Sequence, residues 1–128
     1  MAPDSKLCLG IDIIEVARIN RAICRWKENF LQRIYTKAEI VTYRNRISAL
    51  AARFAAKEAI MKTLGTGSRG LKWKEIEILS DDNGSPRITL YGRAHARAKE
   101  QGINNLRVSL SHTRDYAVAS VIGIVNKE

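Results

Sequence analysis

Lys6 to Ile14 alternates along the chain, with Leu7, Leu9, Ile11 and Ile13 on one side and Cys8, Gly10, Asp12 and Ile14 on the other. A period of two predicts a strand. Asp12 is the odd member of its side, an acid among Cys, Gly and Ile. Gly10 beside it has no side chain to keep a ligand or another backbone at a distance. From Glu15 to about Tyr35 the period lengthens. Val16, Ile19, Ile23, Trp26 and Phe30 form an apolar stripe, which predicts a helix with those residues inward. Thr36-Lys37-Ala38-Glu39 matches a capping box and opens a short helix to about Arg44. Arg44, Asn45 and Arg46 then mark a break.

The longest periodic stretch follows, from about Ser48 to Leu64. Ile47, Leu50, Ala51, Phe54, Met61 and Leu64 recur at helical spacings and share one face. Glu58 lies on or beside that face, four residues after Phe54 and three before Met61. Gly65 stands where a helix end favours a left-handed residue. Trp73 to Leu79 alternates loosely, and its β-branched residues predict a strand. Asp81-Asp82-Asn83-Gly84 with Ser85-Pro86 is a strong turn signal, so Arg87 to Tyr91, with Ile88 and Leu90 inward, completes a hairpin. Gly92 to Gln101 reads as a short basic helix closed by Gly102. Leu106, Val108 and Leu110 alternate with Arg107, Ser109 and Ser111 in a further strand. Thr113-Arg114-Asp115 turns it into Tyr116 to Val125, which is apolar nearly throughout and is predicted to be central. The order βαααββαββ defines an α+β class, with helices packed on one face of a mostly antiparallel sheet. Residues 1–128 read as a single domain without repeat, linker or low-complexity tract.

Charge narrows the choice of partner. Lys and Arg number 22 against 13 Asp and Glu, a net charge of +9. This points to an acidic or phosphorylated partner: nucleic acid, an anionic membrane, a phosphorylated ligand or an acidic protein. Arg18, Arg21 and Arg25 form a basic stripe, which reads either as a solvated helix face or as a surface for an acidic partner, and no acid interrupts the chain between Glu15 and Glu28 to neutralise it. Cys8 and Cys24 form no metal-binding spacing and read as reduced, half-buried thiols, which fits a cytoplasmic protein. The N-terminus carries no apolar signal core and no long apolar run follows, so neither secretion nor membrane insertion is expected.

Two acids in apolar settings, Asp12 and Glu58, are candidate ligands for one hard cation. Carboxylate oxygens suit Mg²⁺, which keeps waters and accepts phosphate oxygens for the rest of its shell. Lys62 follows Glu58 by one helical turn, with Arg53 and Lys57 nearby, and the Gly65-Thr66-Gly67 loop offers free N–H groups. Together these describe a phosphate-handling site. The same residues also admit plain structural roles: a surface Glu58–Lys62 pair, a helix C-cap at Gly65, an N-cap at Asp12. His112 ends a strand after Ser109-Leu110-Ser111, where a side chain can reach a ligand or simply bond its turn. His95 is given no role. No Ser-His-acid or Cys-His arrangement supports covalent catalysis.

Gly10-Ile11-Asp12-Ile13-Ile14-Glu15, then Arg53-Phe54-Ala55-Ala56-Lys57-Glu58-Ala59 with Lys62 and Leu64-Gly65-Thr66-Gly67, then Ser109-Leu110-Ser111-His112-Thr113, closely resemble holo-[acyl-carrier-protein] synthase, the short type of 4′-phosphopantetheinyl transferase. The Thr36-to-Glu39 cap and the Asn83-Gly84-Ser85-Pro86 hairpin fall in the family's order. The resemblance implies transfer of phosphopantetheine from coenzyme A to a serine hydroxyl of apo acyl carrier protein, releasing adenosine 3′,5′-bisphosphate. It implies Asp12 and Glu58 as Mg²⁺ ligands, and Asp12, Glu58 and Lys62 as the catalytic group. Lys62 would neutralise phosphate oxygens, and the base that takes the serine proton would be Glu58 or a metal-bound water. The coenzyme A contacts implied are Arg53, Lys62, Gly65, Gly84, Pro86, His112 and Thr113. Of these, Arg53 and His112 would meet the ribose 3′-phosphate, and the hairpin at Gly84 and Pro86 the adenine. It also implies a homotrimer with active sites between subunits. The acidic carrier, from fatty-acid or polyketide assembly, would dock on Arg18, Arg21 and Arg25. The Ser109-Leu110-Ser111 strand and the Arg44–Arg46 segment depart slightly from the pattern and touch only the outer phosphate contacts. Two other readings use the same residues. A small basic nucleic-acid-binding module accounts for the charge but leaves Asp12 and Glu58 unexplained, and aromatics are only 6%, with no stacking pair on an alternating strand. A metal-dependent phosphohydrolase would use the same acids with water as nucleophile.

Overall fold

A computed structural model describes residues 5–65 and 70–126. The elements are β1 (Ser5–Glu15), α1 (Val16–Trp26), α2 (Glu28–Ile34), α3 (Lys37–Tyr43), α4 (Ile47–Thr63), a 3₁₀ turn (Trp73–Glu75), β2 (Ile76–Ser80), β3 (Pro86–Leu90), α5 (Gly92–Glu100), β4 (Ile103–His112) and β5 (Tyr116–Asn126). The strands form a three-stranded antiparallel sheet in the order β1-β5-β4 and a separate β2-β3 hairpin. The expected α+β class and the central place of β5 hold.

The long amphipathic stretch after Glu15 is two helices rather than one. Lys27 adopts φ 50° and ψ −128°, a conformation that costs a non-glycine residue about 1–3 kcal/mol. Its backbone closes both helices: its N–H donates to the Ile23 carbonyl, and its carbonyl accepts from Phe30 and Leu31. The turn aims Leu31 and Ile34 into the core and leaves Trp26, expected inward, on the surface at 54% exposure. The Trp73–Leu79 strand is likewise shorter than expected, because Trp73–Glu75 coil into the 3₁₀ turn first.

α4 is buried on nearly every side, not along one face. Alanines 49, 51, 52, 55, 56 and 59 admit neighbours all round it. A helix that is apolar around its whole girth belongs in the centre of a fold. β1 and β5 cover one side of it, and Gly10 sets the spacing. A Cβ at residue 10 would fall far inside contact distance of the Ala59 carbonyl oxygen and Thr63 Oγ1. The close approach that Gly10 permits is therefore that of the α4 backbone. The other side of α4 meets α3 and the hairpin through a buried ion pair. Lys57 Nζ donates to Glu39 Oε1 (2.6 Å), to the Ile34 carbonyl (2.9 Å) and to the Trp73 carbonyl (3.2 Å). Glu39 also accepts from Thr36 N, completing the expected capping box, and from Ile78 N at the hairpin. Both side chains are fully buried.

The alternation of β1 places its more apolar row outward. Cys8, Gly10, Asp12 and Ile14 face α4, whereas Leu7, Leu9, Ile11 and Ile13 point away from it and are 51–69% exposed. On β5 the outward row continues through Ile122.

Candidate active site

Asp12 reaches the end of α4 because Gly10 lets β1 lie against that helix. Glu58 is half-buried on the same side, and the two carboxylates interact. Burial pushes the Glu58 carboxyl above its ordinary pKa and the charge of Asp12 pushes it further, while Arg18 and Lys62 pull it back. Lys62 Nζ donates to Asp12 Oδ1 (2.9 Å) and to the Ile11 carbonyl (3.2 Å). The hydrogen bond and charge of Asp12 raise the Lys62 ammonium above its usual range. The ammonium stays half exposed, so it is tethered without being enclosed.

Arg18 belongs to this cluster as well as to the basic stripe. Its guanidinium stands 6.0 Å from the centroid of the Phe54 ring, within the range of cation–π attraction. Phe54 in turn stacks on Trp73 at 4.8 Å. Arg21 and Arg25 point to solvent, and Arg25 lies over the Trp26 ring at 4.9 Å. None of the three arginines has an ion-pair partner among the described residues. Sequence spacing placed Arg18 with the other two; its proximity to Glu58 depends on how α1 crosses α4.

Arg53 is placed elsewhere. It is only 6% exposed. Its Nε donates to the Ile78 carbonyl (3.3 Å), and Nη2 donates to Tyr43 Oη (2.8 Å) and Ser80 Oγ (2.9 Å). Only Nη1 lacks a partner among the described residues. Ser80 pairs with Pro86 across the hairpin, so Arg53 lies against the base of the loop that carries Gly84. Arg53, Gly84 and Pro86 thus form a second group. Gly84 has φ +81° at an open tip, with no described neighbour within 4 Å of where a Cβ would stand. Lys57, expected near Glu58, turns the opposite way into the Glu39 pair.

His112 and Thr113 form a third group. His112 ends β4 in the cross-strand row Ile14–Ala117–His112, two strands and about 10 Å from β1. Thr113 Oγ1 accepts from Asp115 N and Tyr116 N in the turn to β5. Within one chain neither residue is hydrogen-bonded to Arg53. Gly65 caps α4 with φ +81°, as expected, and the Gln101 side-chain amide donates to the Leu64 carbonyl beside it (2.7 Å). Thr66 and Gly67 lie outside the described residues. Cys24, expected half-buried, is exposed on α1, while Cys8 is partly buried against Gly123.

Whether this cluster suits Mg²⁺ turns on its donor set. Asp12 and Glu58 are hard oxygen donors whose like charges oppose one another, an opposition that a cation would relieve. Among the described residues no group of three ligating side chains occurs. A two-carboxylate site leaves the remaining positions to water and phosphate oxygens, as Mg²⁺ prefers. The residues fit the ion.

The model of the 4′-phosphopantetheinyl transferase superfamily matches residues 8–121. The holo-[acyl-carrier-protein] synthase of Herpetosiphon aurantiacus is 45% identical over 92% of this chain and 98% of its own. That of Dehalococcoides mccartyi is 47% identical over 91% and 97%. Among solved structures, the Helicobacter pylori holo-[acyl-carrier-protein] synthase in complex with coenzyme A superposes with a TM-score of 0.81, at 34% identity, over 90% of this chain and 98% of that one. The chain belongs to the 4′-phosphopantetheinyl transferase superfamily, as an enzyme of its holo-[acyl-carrier-protein] synthase group.

Proposed function

We propose that this enzyme binds coenzyme A at the Asp12–Glu58–Lys62 cluster and transfers its 4′-phosphopantetheine to a serine hydroxyl of an acidic apo acyl carrier protein. Adenosine 3′,5′-bisphosphate is the leaving product. The observation that carries this reading is the convergence of two mutually repelling carboxylates with Lys62 and Arg18 at one end of a buried helix. Asp12 and Glu58 would hold Mg²⁺, which when bound neutralises charge on the pyrophosphate oxygens. Lys62 is half exposed and tied to Asp12. It can swing to a phosphate oxygen and offset the charge that develops on the leaving group. Glu58, half-buried at the same cluster, is the carboxylate placed to accept the serine proton. Arg53 Nη1 and the hairpin at Gly84 and Pro86 would receive the nucleotide end.

The working form in this reading is a homotrimer. Its support is the outward face of β1 and β5, where Leu7, Leu9, Ile11, Ile13 and Ile122 are exposed in one block, a pattern typical of a subunit interface. That Arg53 bonds the β2–β3 hairpin while His112 and Thr113 lie at the β4–β5 turn also fits a coenzyme site shared between subunits. We place the enzyme in the cytoplasm, on its free cysteines. No described helix is long and apolar enough to cross a membrane.

The test is incubation of the protein with coenzyme A, Mg²⁺ and an apo carrier, with the carrier's intact mass and the released nucleotide both measured. A phosphopantetheine adduct on serine with equimolar bisphosphate is expected. Release of nucleotide without an adduct would identify a phosphohydrolase instead.

A further inference from the structure

Trp26 is an unburied tryptophan at the C-terminal end of the basic helix α1. A single exposed apolar side chain is ordinary, but this one has a setting. Arg25 stacks its guanidinium over the ring at 4.9 Å. Ala22 lies one turn before Trp26, and Arg18 one turn before Ala22, so the three follow one line along the helix. Arg18 stands at the carboxylate cluster. Trp26 is therefore about 12 Å farther along the same surface. Arg21 and Arg25 border the line on one side, both without ion-pair partners among the described residues. The positive-φ turn at Lys27 redirects the chain, which re-enters the core at Leu31 and leaves the indole outside. The exposed surface of α1 thus has a cationic border and an aromatic end.

We infer that Trp26 is the apolar anchor of the carrier-docking surface, and hence a determinant of which carrier is accepted. This inference rests on the transferase reading above. The matching surface is an acidic amphipathic helix with an apolar side chain about 12 Å, roughly two turns, from the reacting serine. The arginines draw the acidic helix in at long range and speed encounter. The indole supplies a desolvated contact at the far end, and tryptophan is among the residues that dominate interface energetics. The cation–π contact ties the ring to Arg25, so the apolar anchor and the basic border form one continuous surface.

The experiment is steady-state transfer with wild-type protein, Trp26→Ala and Trp26→Phe, varying apo carrier and coenzyme A separately. Trp26→Ala is expected to raise the carrier KM about tenfold, the scale of losing one anchor. The KM for coenzyme A and the turnover at saturating carrier stay within about twofold of wild type, on the same scale. Trp26→Phe recovers most of the loss. The salt dependence of kcat/KM for the carrier keeps its wild-type slope in Trp26→Ala, because the charges remain. A carrier KM unchanged in Trp26→Ala overturns the inference. So does a loss that falls equally on turnover and on coenzyme A, since that marks a structural role. Wild-type protein that modifies no carrier refutes the underlying transferase reading, and this inference with it; active wild type with an indifferent Trp26→Ala refutes this inference alone.

Discussion

Replacing Gly10 by alanine tests how tightly the site depends on the contact between β1 and α4. The added methyl would sit 3.1 Å from the Ala59 carbonyl carbon and closer still to its oxygen and to Thr63 Oγ1, where real Cβ atoms keep beyond 3.0 Å. The Ala59 oxygen is helix backbone, and it already accepts a 2.8 Å hydrogen bond from Thr63 Oγ1. It cannot turn aside as a flexible side chain would, so the strand and the helix must separate by about 1 Å, an overpacking that costs about 1–3 kcal/mol. Asp12 rides on the strand and Glu58 on the helix, so the same movement opens the carboxylate cluster. Displacements of about 1 Å in a reacting constellation lower rates by about 100-fold. The expected outcome is a folded protein with a melting temperature lower by several degrees and a transfer rate reduced about 100-fold. Thermal unfolding by circular dichroism and transfer at saturating substrates measure the two effects. Gly10→Ala protein with wild-type melting and wild-type turnover would refute the argument that this glycine sets the spacing of the site.

Three further outcomes follow from the same geometry. Lys57→Met leaves Glu39 buried without its cation and should cost about 3–5 kcal/mol by denaturant titration, with the Glu39→Gln/Lys57→Met double variant recovering part of it; an effect under about 1 kcal/mol contradicts the buried pair. Glu58→Gln should abolish transfer yet slightly raise the stability of metal-free protein at neutral pH. Because the folded-state pKa of Glu58 is raised, its contribution is fully present below the unfolded-state value and is lost as pH rises through the folded one. Glutamine removes that loss, and the partial exposure of the site limits the gain to less than about 1 kcal/mol. A melting temperature that drops in Glu58→Gln, or a gain that persists at low pH, counts against the assignment. Arg21→Glu with Arg25→Glu should raise the carrier KM more than about tenfold at low ionic strength, converging toward wild type in high salt, with coenzyme A kinetics unaffected; an unchanged carrier KM would return these residues to plain solvation.

Much of this architecture was legible in the residue pattern, for reasons that also explain the misses. Strands and turns came from period-two alternation and from the Asn83-Gly84 signal, both local. The grouping of Asp12 with Cys8, Gly10 and Ile14 and the cap at Gly65 were readable for the same reason. The division of the first long helix was not, because Lys27 carries no turn chemistry: only tertiary packing holds a lysine at positive φ. That hidden turn is what moved Trp26 from the expected core to the surface. The exposed side of β1 was not legible, since Leu7, Leu9, Ile11 and Ile13 form the more apolar row, yet it is the small residues opposite, Gly10 above all, that let the strand meet α4. Arg53 and Lys57 stood beside Glu58 in sequence, and helical geometry alone put them near it. The alanines surrounding them were the available signal that α4 is buried on all sides, so that long basic side chains there must find internal partners. Arg53 found Tyr43 and Ser80, and Lys57 found Glu39.

In the reading proposed above, phosphopantetheine moves from coenzyme A to a carrier serine at the Asp12–Glu58 pair. The most direct measurement is the intact mass of an apo carrier after incubation with coenzyme A, Mg²⁺ and either wild-type protein or Asp12→Asn. Full conversion of the carrier by wild type and no adduct with the folded variant are expected. Equal conversion by both proteins would contradict that reading.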